Sequence, residues 1–363
     1  MKYYESRKKR SIENWLPVNV NLREGRNYLN STDGGKVGVL ELSSRAVKLL
    51  IGDKNSLDSD GFDFEFFYRK GYLTQTIHGL NDQLILDEDY FERQVLPVII
   101  KQVEKARYLG VKILYAVGTA VYRRARNRKA IVRLIKDRAK INIKILKQEE
   151  EAILTLEAFM FSGRNHIRKR KDLLLIDQGG ASTEILQYRK RTRTLLNYNL
   201  KLGTNSLKEI FFTKSKNERA LEKSFWYYNE YVRKSTSKKI DGISDYRSRN
   251  LQCVGLGTAM TKATDEIGNK NQHGKILTRK DLVSKMQHAQ KILCDKFSNV
   301  GEMKEYFKKN KFESEHIYYE EILLMRLGLA MVLDIMRTFN VYTITISGTG
   351  LWYGVYYEST KQN

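Results

Sequence analysis

Between Leu173 and Tyr188 the chain reads LLLIDQGGASTEILQY: an apolar strand ends in an acid, Asp177, a small-residue loop follows, and a second strand carries another acid, Glu184. A carboxylate at a strand end is a hard oxygen ligand for a metal ion, or an acceptor for a fixed water. The backbone N–H groups of Gly179, Gly180, Ala181 and Ser182 can turn inward as a nest for phosphate oxygens. These residue types at this spacing suit the holding of a phosphate beside a metal ion. The plainer alternative is a tight β-turn without a ligand.

The same idea occurs earlier. Val37 to Gly52 reads VGVLELSSRAVKLLIG, with an acid, Glu41, at the end of an apolar strand, then Ser43 and Ser44, then another apolar strand. Glu41 and Asp177 lie 136 positions apart (177 − 41), each where a buried strand opens into a small-residue loop. A duplicated unit with two phosphate loops and two carboxylates is the expectation.

Further segments narrow it. Val117 to Asn127, VGTAVYRRARN, carries Thr119, Arg123, Ala125 and Asn127; Glu150-Glu151-Ala152 opens a helix; Leu202-Gly203, Val254 to Thr258, His273-Gly274 with Leu277-Thr278, and Ser347 to Gly354 follow in order. Together with the two loops these segments resemble the exopolyphosphatase and guanosine pentaphosphate phosphatase (Ppx/GppA) family of the actin-like ATPase superfamily, over about residues 37–354. The resemblance implies an α/β protein of two actin-like (ribonuclease H-like) lobes, each a mixed sheet covered by helices, with an interdomain cleft.

It also implies an activity: a Mg²⁺-dependent exophosphatase acting on the terminal phosphoanhydride bonds of inorganic polyphosphate or guanosine pentaphosphate. By the same resemblance, Glu151 is the general base on water and Glu184 orients water or metal. Asp177 and Glu41 face Mg²⁺, while Ser43, Ser44, Arg45, Arg123 and the Gly179–Ser182 loop contact phosphate. A homodimer is implied on the same ground. For Glu151 the residues alone leave a competing role, since acids at a helix start are favoured by the helix dipole. Arg123 likewise competes with the reading of a surface arginine, the better reading for Arg124, Arg126 and Arg128. The five histidines form no ligand-spaced pair.

The first loop departs from the family pattern. Glu41-Leu42-Ser43-Ser44-Arg45-Ala46 stands where the family has D-x-G-S-N-S; Ser43 is expected to restrict a backbone that glycine leaves free, and Arg45 to supply a cation in compensation. Lys147-Gln148-Glu149 replaces S-G-x, and Trp352-Tyr353 replaces R-E in the last motif. A catalytically weak sensor of polyphosphate or an alarmone on the same fold is therefore the alternative. A kinase or ATPase of the wider superfamily is disfavoured because the glutamate before Ala152 suits water activation, and because fold alone assigns no chemistry.

Composition bounds these readings. The 363 residues suffice for two domains with their own cores. With 65 Lys and Arg against 42 Asp and Glu, the net charge of +23 attracts polyanions. No specific nucleic-acid reader motif accompanies that charge. Two cysteines and an opening MKYYESRKKR without an apolar core give the expectation of a reduced, cytoplasmic setting. The most apolar helix, Ile322 to Met336, is interrupted by Arg326 and Asp334 and is too short to span a bilayer, so no membrane partner is expected.

The elements that must position these residues follow from periodicity. Residues 1–35 are read as a polar basic extension with an RKKR run at Arg7 to Arg10, 36–165 as an N-terminal lobe and 166–363 as a C-terminal lobe. The first lobe is expected to carry strands at Val37 to Gly52 and around Phe62 to Tyr68, a helix at about Glu88 to Tyr108 with Pro97 marking a kink or a restart, a strand at Lys112 to Val117 and one helix over Ala120 to Ala139. A strand at Ile143 to Leu146 and a helix from Glu149 complete it, and Arg164 to Lys171 is a charged joint. The second is expected to repeat three strands, then to place helices around a strand at Gln252 to Gly255 and a long buried helix at Glu315 to Phe339.

Overall fold

The computed structural model describes residues 20–29, 35–53, 68–162, 172–189, 194–240, 251–264, 273–309 and 314–361. The RKKR run, the expected strand residues 62–67 and the charged joint at 164–171 lie outside them. Among the described residues, one compact unit takes 20–162, 179–182 and 349–361, and the other takes 172–178 and 183–348.

The N-terminal unit is built on a mixed sheet of β1 (Arg26–Tyr28), β2 (Lys36–Leu42), β3 (Ala46–Asp53), β4 (Tyr68–Leu73), β5 (Ile113–Gly118) and β6 (Lys144–Ile145). β2, β3 and β4 form an antiparallel meander, and β5 lies parallel to β2 on its other side. β1 and β6 share the far edge of β5, one antiparallel and one parallel. Arg26–Tyr28 therefore joins the sheet instead of belonging to a polar extension, and Val20, Leu22 and Leu29 around it are buried. β2 is buried on both faces from Val37 to Leu42, which is why its sequence runs apolar without alternation.

In the helical region after β4, Pro97 marks a restart, the second of the two expected alternatives. α1 (Glu88–Tyr90) runs into a π-helical turn, Phe91–Val95, and α2 (Leu96–Tyr108) begins with Pro97 in its first turn. A proline lacks the N–H and crowds the carbonyl four residues back, and the wider turn accommodates it. The expected helix over Ala120 to Ala139 is two, α3 (Ala120–Arg124) and α4 (Arg128–Ala139). Ala125 between them is extended, and the Asn127 side chain exchanges hydrogen bonds with the backbone of Leu86 at 2.8 and 3.0 Å. α5 (Gln148–Ser162) closes this stretch of chain.

The C-terminal unit repeats the plan. β7 (Asp172–Gln178), β8 (Thr183–Arg189) and β9 (Thr194–Leu200) form a second meander. After α6 (Thr204–Lys214) and α7 (Leu221–Ile240), β10 (Leu251–Gly257) lies parallel to β7. α8 (Thr258–Thr264) leads on to β11 (Ile276–Thr278), α9 (Arg279–Lys296), α10 (Val300–Lys309), α11 (Ser314–Thr338) and β12 (Thr343–Ile346), which lies parallel to β10. The order β4-β3-β2-β5-β6 thus recurs as β9-β8-β7-β10-β12, with β11 added on the outer edge. α9 starts one residue after the expected Leu277-Thr278, in a capping box in which Thr278 Oγ1 accepts from Asp281 N–H and Asp281 accepts from Thr278 N–H.

α11 is buried all round from Leu323 to Met336, packed by α6, α7, α8 and α9. Its one fully buried charge, Arg326, is held by neutral amides: Nε and Nη2 donate to Gln290 Oε1, and Nη1 donates to Asn229 Oδ1 at 3.1 Å. The guanidinium also lies 4.6 Å from the centre of the Phe225 ring. α12 (Leu351–Lys361) belongs to the N-terminal unit, packed on α5 so closely that a Cβ at Gly354 would collide with the Leu154 carbonyl.

Candidate active site

The two loops are built alike. In the first, Ser43 N–H donates to the Ala46 carbonyl at 2.9 Å; in the second, Gly179 N–H donates to the Ser182 carbonyl at 2.9 Å. No residue of either loop has a positive φ among the described residues. The conformation is one any L-residue adopts, so Ser43 in place of glycine adds no backbone strain, contrary to the expectation that it would restrict the loop. The closures also engage donors expected for phosphate: the N–H of Gly179 and of Ser43 point into their own loops. Ser43 Oγ is held too, donating to the Ala46 carbonyl and accepting from the Ala46 N–H. Ser44 and Arg45 are buried, and their carbonyls accept from Ile77, Thr74 and Gln75, which pins the first loop to the segment after β4.

In the C-terminal unit, Asp177 and Glu184 are direct cross-strand partners in the β7–β8 register. Residues so paired have Cβ atoms about 5 Å apart on one face of the sheet, where two like charges repel unless a cation joins them. Glu184 is buried, and its Oε1 accepts from Asn199 Nδ2 at 2.7 Å. Gln178, between them in the chain, is fully buried and donates to the Gly328 carbonyl, locking the strand end onto α11.

In the N-terminal unit the equivalent pair is different. Glu41 lies directly opposite Lys48 in the β2–β3 register, and Lys48 Nζ donates to Glu41 Oε1 at 2.8 Å. Only 5 % of the Glu41 side chain is exposed, and its Oε2 is buried without a hydrogen-bond partner. Lys48 is covered by the Trp352 ring, 5.7 Å from its centre, so the residue replacing the arginine of the last motif helps to fix the ammonium.

Close to this pair is a second one. Glu151, in the first turn of α5, accepts from Arg123 Nη1 at 2.8 Å, and the same nitrogen donates to the Leu146 carbonyl at 2.9 Å. Burial raises the Glu151 carboxyl above its ordinary range; Arg123 and Lys48 oppose the rise, and the Glu41 charge adds to it. Glu150 does the work that the helix dipole explains: its Oε2 accepts from the Lys147 N–H at the helix start and its Oε1 from Lys144 Nζ. Neighbouring glutamates thus divide into a helix cap and a perturbed acid.

The arrangement brings Glu41, Lys48, Arg123 and Glu151 together within one unit, and pairs Asp177 with Glu184 within the other. Lys48 and Asn199 are partners of these acids that the sequence motifs did not single out. The signal for Lys48 was present, because Glu41 and Lys48 have the same separation as Asp177 and Glu184. For a metal ion the fit is specific. No group of three or more His, Cys, Asp or Glu side chains is gathered among the described residues, which excludes an all-protein cage there. Two facing carboxylates match Mg²⁺, which takes one or two carboxylates and completes its shell with water and substrate phosphate. Neither cysteine is poised to react, since burial raises the thiols of Cys253 and Cys294.

A meander followed by parallel strands, present twice with an acid at each first-strand end, defines an actin-like α/β protein. The model of the Ppx/GppA phosphatase family matches residues 68–363, and the chain belongs to that family. Its fold is similar to that of the Aquifex aeolicus Ppx/GppA family member, with TM-score 0.66, 19% identity, and coverage of 91% of this chain and 99% of that one. It is also similar to an exopolyphosphatase from Cytophaga hutchinsonii ATCC 33406, with TM-score 0.69, 15% identity, and coverage of 90% and 98%. No helix among the described residues is long and apolar enough to cross a membrane.

Proposed function

We propose that the protein is a Mg²⁺-dependent exophosphatase that removes the terminal phosphate of inorganic polyphosphate or guanosine pentaphosphate. The observation that carries this reading is Glu151: a carboxylate raised by burial, aimed by Arg123, and relieved of the helix-capping role by Glu150. A base with a raised pKa accepts a proton from water more readily, and the Arg123 charge opposes the rise. Glu151 takes the proton of the attacking water as its oxygen bonds to the terminal phosphorus. The bond from that phosphorus to the bridging oxygen breaks, releasing inorganic phosphate and a shortened chain.

Asp177 and Glu184 are the residues that would hold Mg²⁺, which when bound neutralises developing charge on phosphate oxygens. Glu41 suits that task less well, since Lys48 already neutralises it. Lys48 and the Arg45 and Arg123 guanidiniums supply the positive field for a polyanion. The net charge of +23 favours its encounter, in a cytoplasmic setting.

The first loop favours a second reading, a polyphosphate or alarmone sensor with weak turnover. Lys48 stands where the repeat calls for an acid, and the Ser43 hydroxyl is tied into its own loop. One experiment separates the two: phosphate release with Mg²⁺ from long-chain polyphosphate and from guanosine pentaphosphate, beside Glu151→Gln. Release that vanishes in the variant supports the enzyme. Saturable binding of either compound without release supports the sensor.

A further inference from the structure

The two charges that interrupt the long apolar helix are both put to use, and one of them opens on a cavity. α7, α9 and α11 enclose a space of about 360 Å³ lined by Asn229, Glu230, Arg233, Met286, Leu333 and Asp334, with Ala330 and Arg337 completing the wall. Asp334 is 5 % exposed. Its Oδ1 accepts from Arg337 Nη1 at 2.9 Å, while its Oδ2 accepts nothing from the described residues. Asn229 is oriented by Arg326: a guanidinium only donates, so the amide oxygen must face it, and the Asn229 NH₂ is left for the cavity. Glu230 accepts from Arg233 at 2.7 Å, and the side chains of Arg233 and Arg337 are more than half exposed, as befits a mouth. Met286, Ala330 and Leu333 make the apolar part of the lining.

We infer that this cavity is a binding site for a free α-amino acid with an apolar side chain. Two carboxylates and two guanidiniums in one small space have no net charge, and their complement is a zwitterion. The ligand's ammonium donates to Asp334 Oδ2 and Glu230. Its carboxylate accepts from Arg337, Arg233 and the Asn229 amide, and its side chain covers Met286 and Leu333. A nucleotide matches less well, because Asp334 and Glu230 repel its phosphates. The volume lies within the range of ordinary small-ligand sites and exceeds what a single water needs.

The test follows the Met286 methyl signal in ¹³C-methyl-methionine protein, assigned with Met286→Leu, during titration with L-leucine and L-methionine. N-acetyl-L-leucine and L-leucinamide, each lacking one charge, and AMP are titrated in parallel. Saturable shifts with leucine or methionine are expected, at least about tenfold weaker with either blocked compound, since a charge-assisted hydrogen bond is lost in each. Asp334→Asn and, at the exposed mouth, Arg337→Gln should weaken binding by a similar factor while phosphate release stays unchanged. Should Asp334→Asn fail to fold, Arg337→Gln carries the same test. An unmoved Met286 signal up to about 10 mM amino acid, equal binding of the blocked compounds, or a response to AMP alone overturns the inference.

Discussion

Lys48 occupies in the first repeat the position that Glu184 occupies in the second: each lies directly across its strand pair from the acid that precedes the loop, Glu41 and Asp177. The two halves share one strand order, down to the same hydrogen bond closing each loop. Their side chains differ in electrostatic sense. One half sets a lysine opposite its acid, and the other sets a second acid there, with Asn199 donating to Glu184.

Lys48→Met should therefore destabilise the protein by about 2 kcal/mol, because it strands the buried Glu41 carboxylate. Lys48→Met combined with Glu41→Gln should recover most of that loss, and urea unfolding of the four proteins in the cycle measures the coupling. A null coupling would show that Lys48 contributes nothing to holding Glu41.

Glu151→Gln should reduce phosphate release by at least about a hundredfold, the usual contribution of a positioned base, while leaving polyphosphate binding in place. The base acts deprotonated, so the rate should fall as pH drops through its raised pKa, above the ordinary carboxylate value. Arg123→Gln removes the cation that opposes the rise, and the acidic limb of the pH–rate profile should move further up. A limb that stays put, or moves down, would take Arg123 out of this role.

Glu150→Ala is the control on the neighbouring carboxylate. It deletes the acceptor for the Lys147 N–H and the partner of Lys144, so about 1 kcal/mol of stability should go. Turnover at a temperature where the variant is folded should remain. Thermal unfolding and phosphate release on the same preparation check both halves of the expectation.

Much of this was legible beforehand, and the exceptions have physical reasons. The strands β2, β3, β7 and β8 read directly because both faces are buried and loops of small residues bound them. β1 did not, since three residues whose pairing is with β5, some 85 positions away, carry no periodic signal of their own. The break between α3 and α4 was hidden for a similar reason: Ala125 is a good helix former, and the cause is Asn127 reaching to Leu86. At the site, motif positions gave the acids, but their pairing depends on sheet register. Glu150 and Glu151 look equivalent in sequence, and only the direction of each side chain separates them.

Asp334→Asn should change the pH dependence of stability in a direction fixed by linkage. Burial raises the Asp334 carboxyl to about 6, with the Arg337 hydrogen bond and charge opposing the rise, Arg233 opposing it further and Glu230 adding to it. Between the unfolded value, near 4, and about 6, the native state holds the proton more tightly than the unfolded chain does. This contribution is therefore fully present below pH 4 and is lost as pH rises through 6. Asparagine has no proton to lose, so relative to wild type the variant should gain about 2 kcal/mol between pH 4 and pH 7, a shift of roughly two pKa units being worth at most about 3. Urea unfolding of both proteins across that range reads the difference, and parallel curves would mean that Asp334 titrates in the folded protein as it does in the unfolded chain.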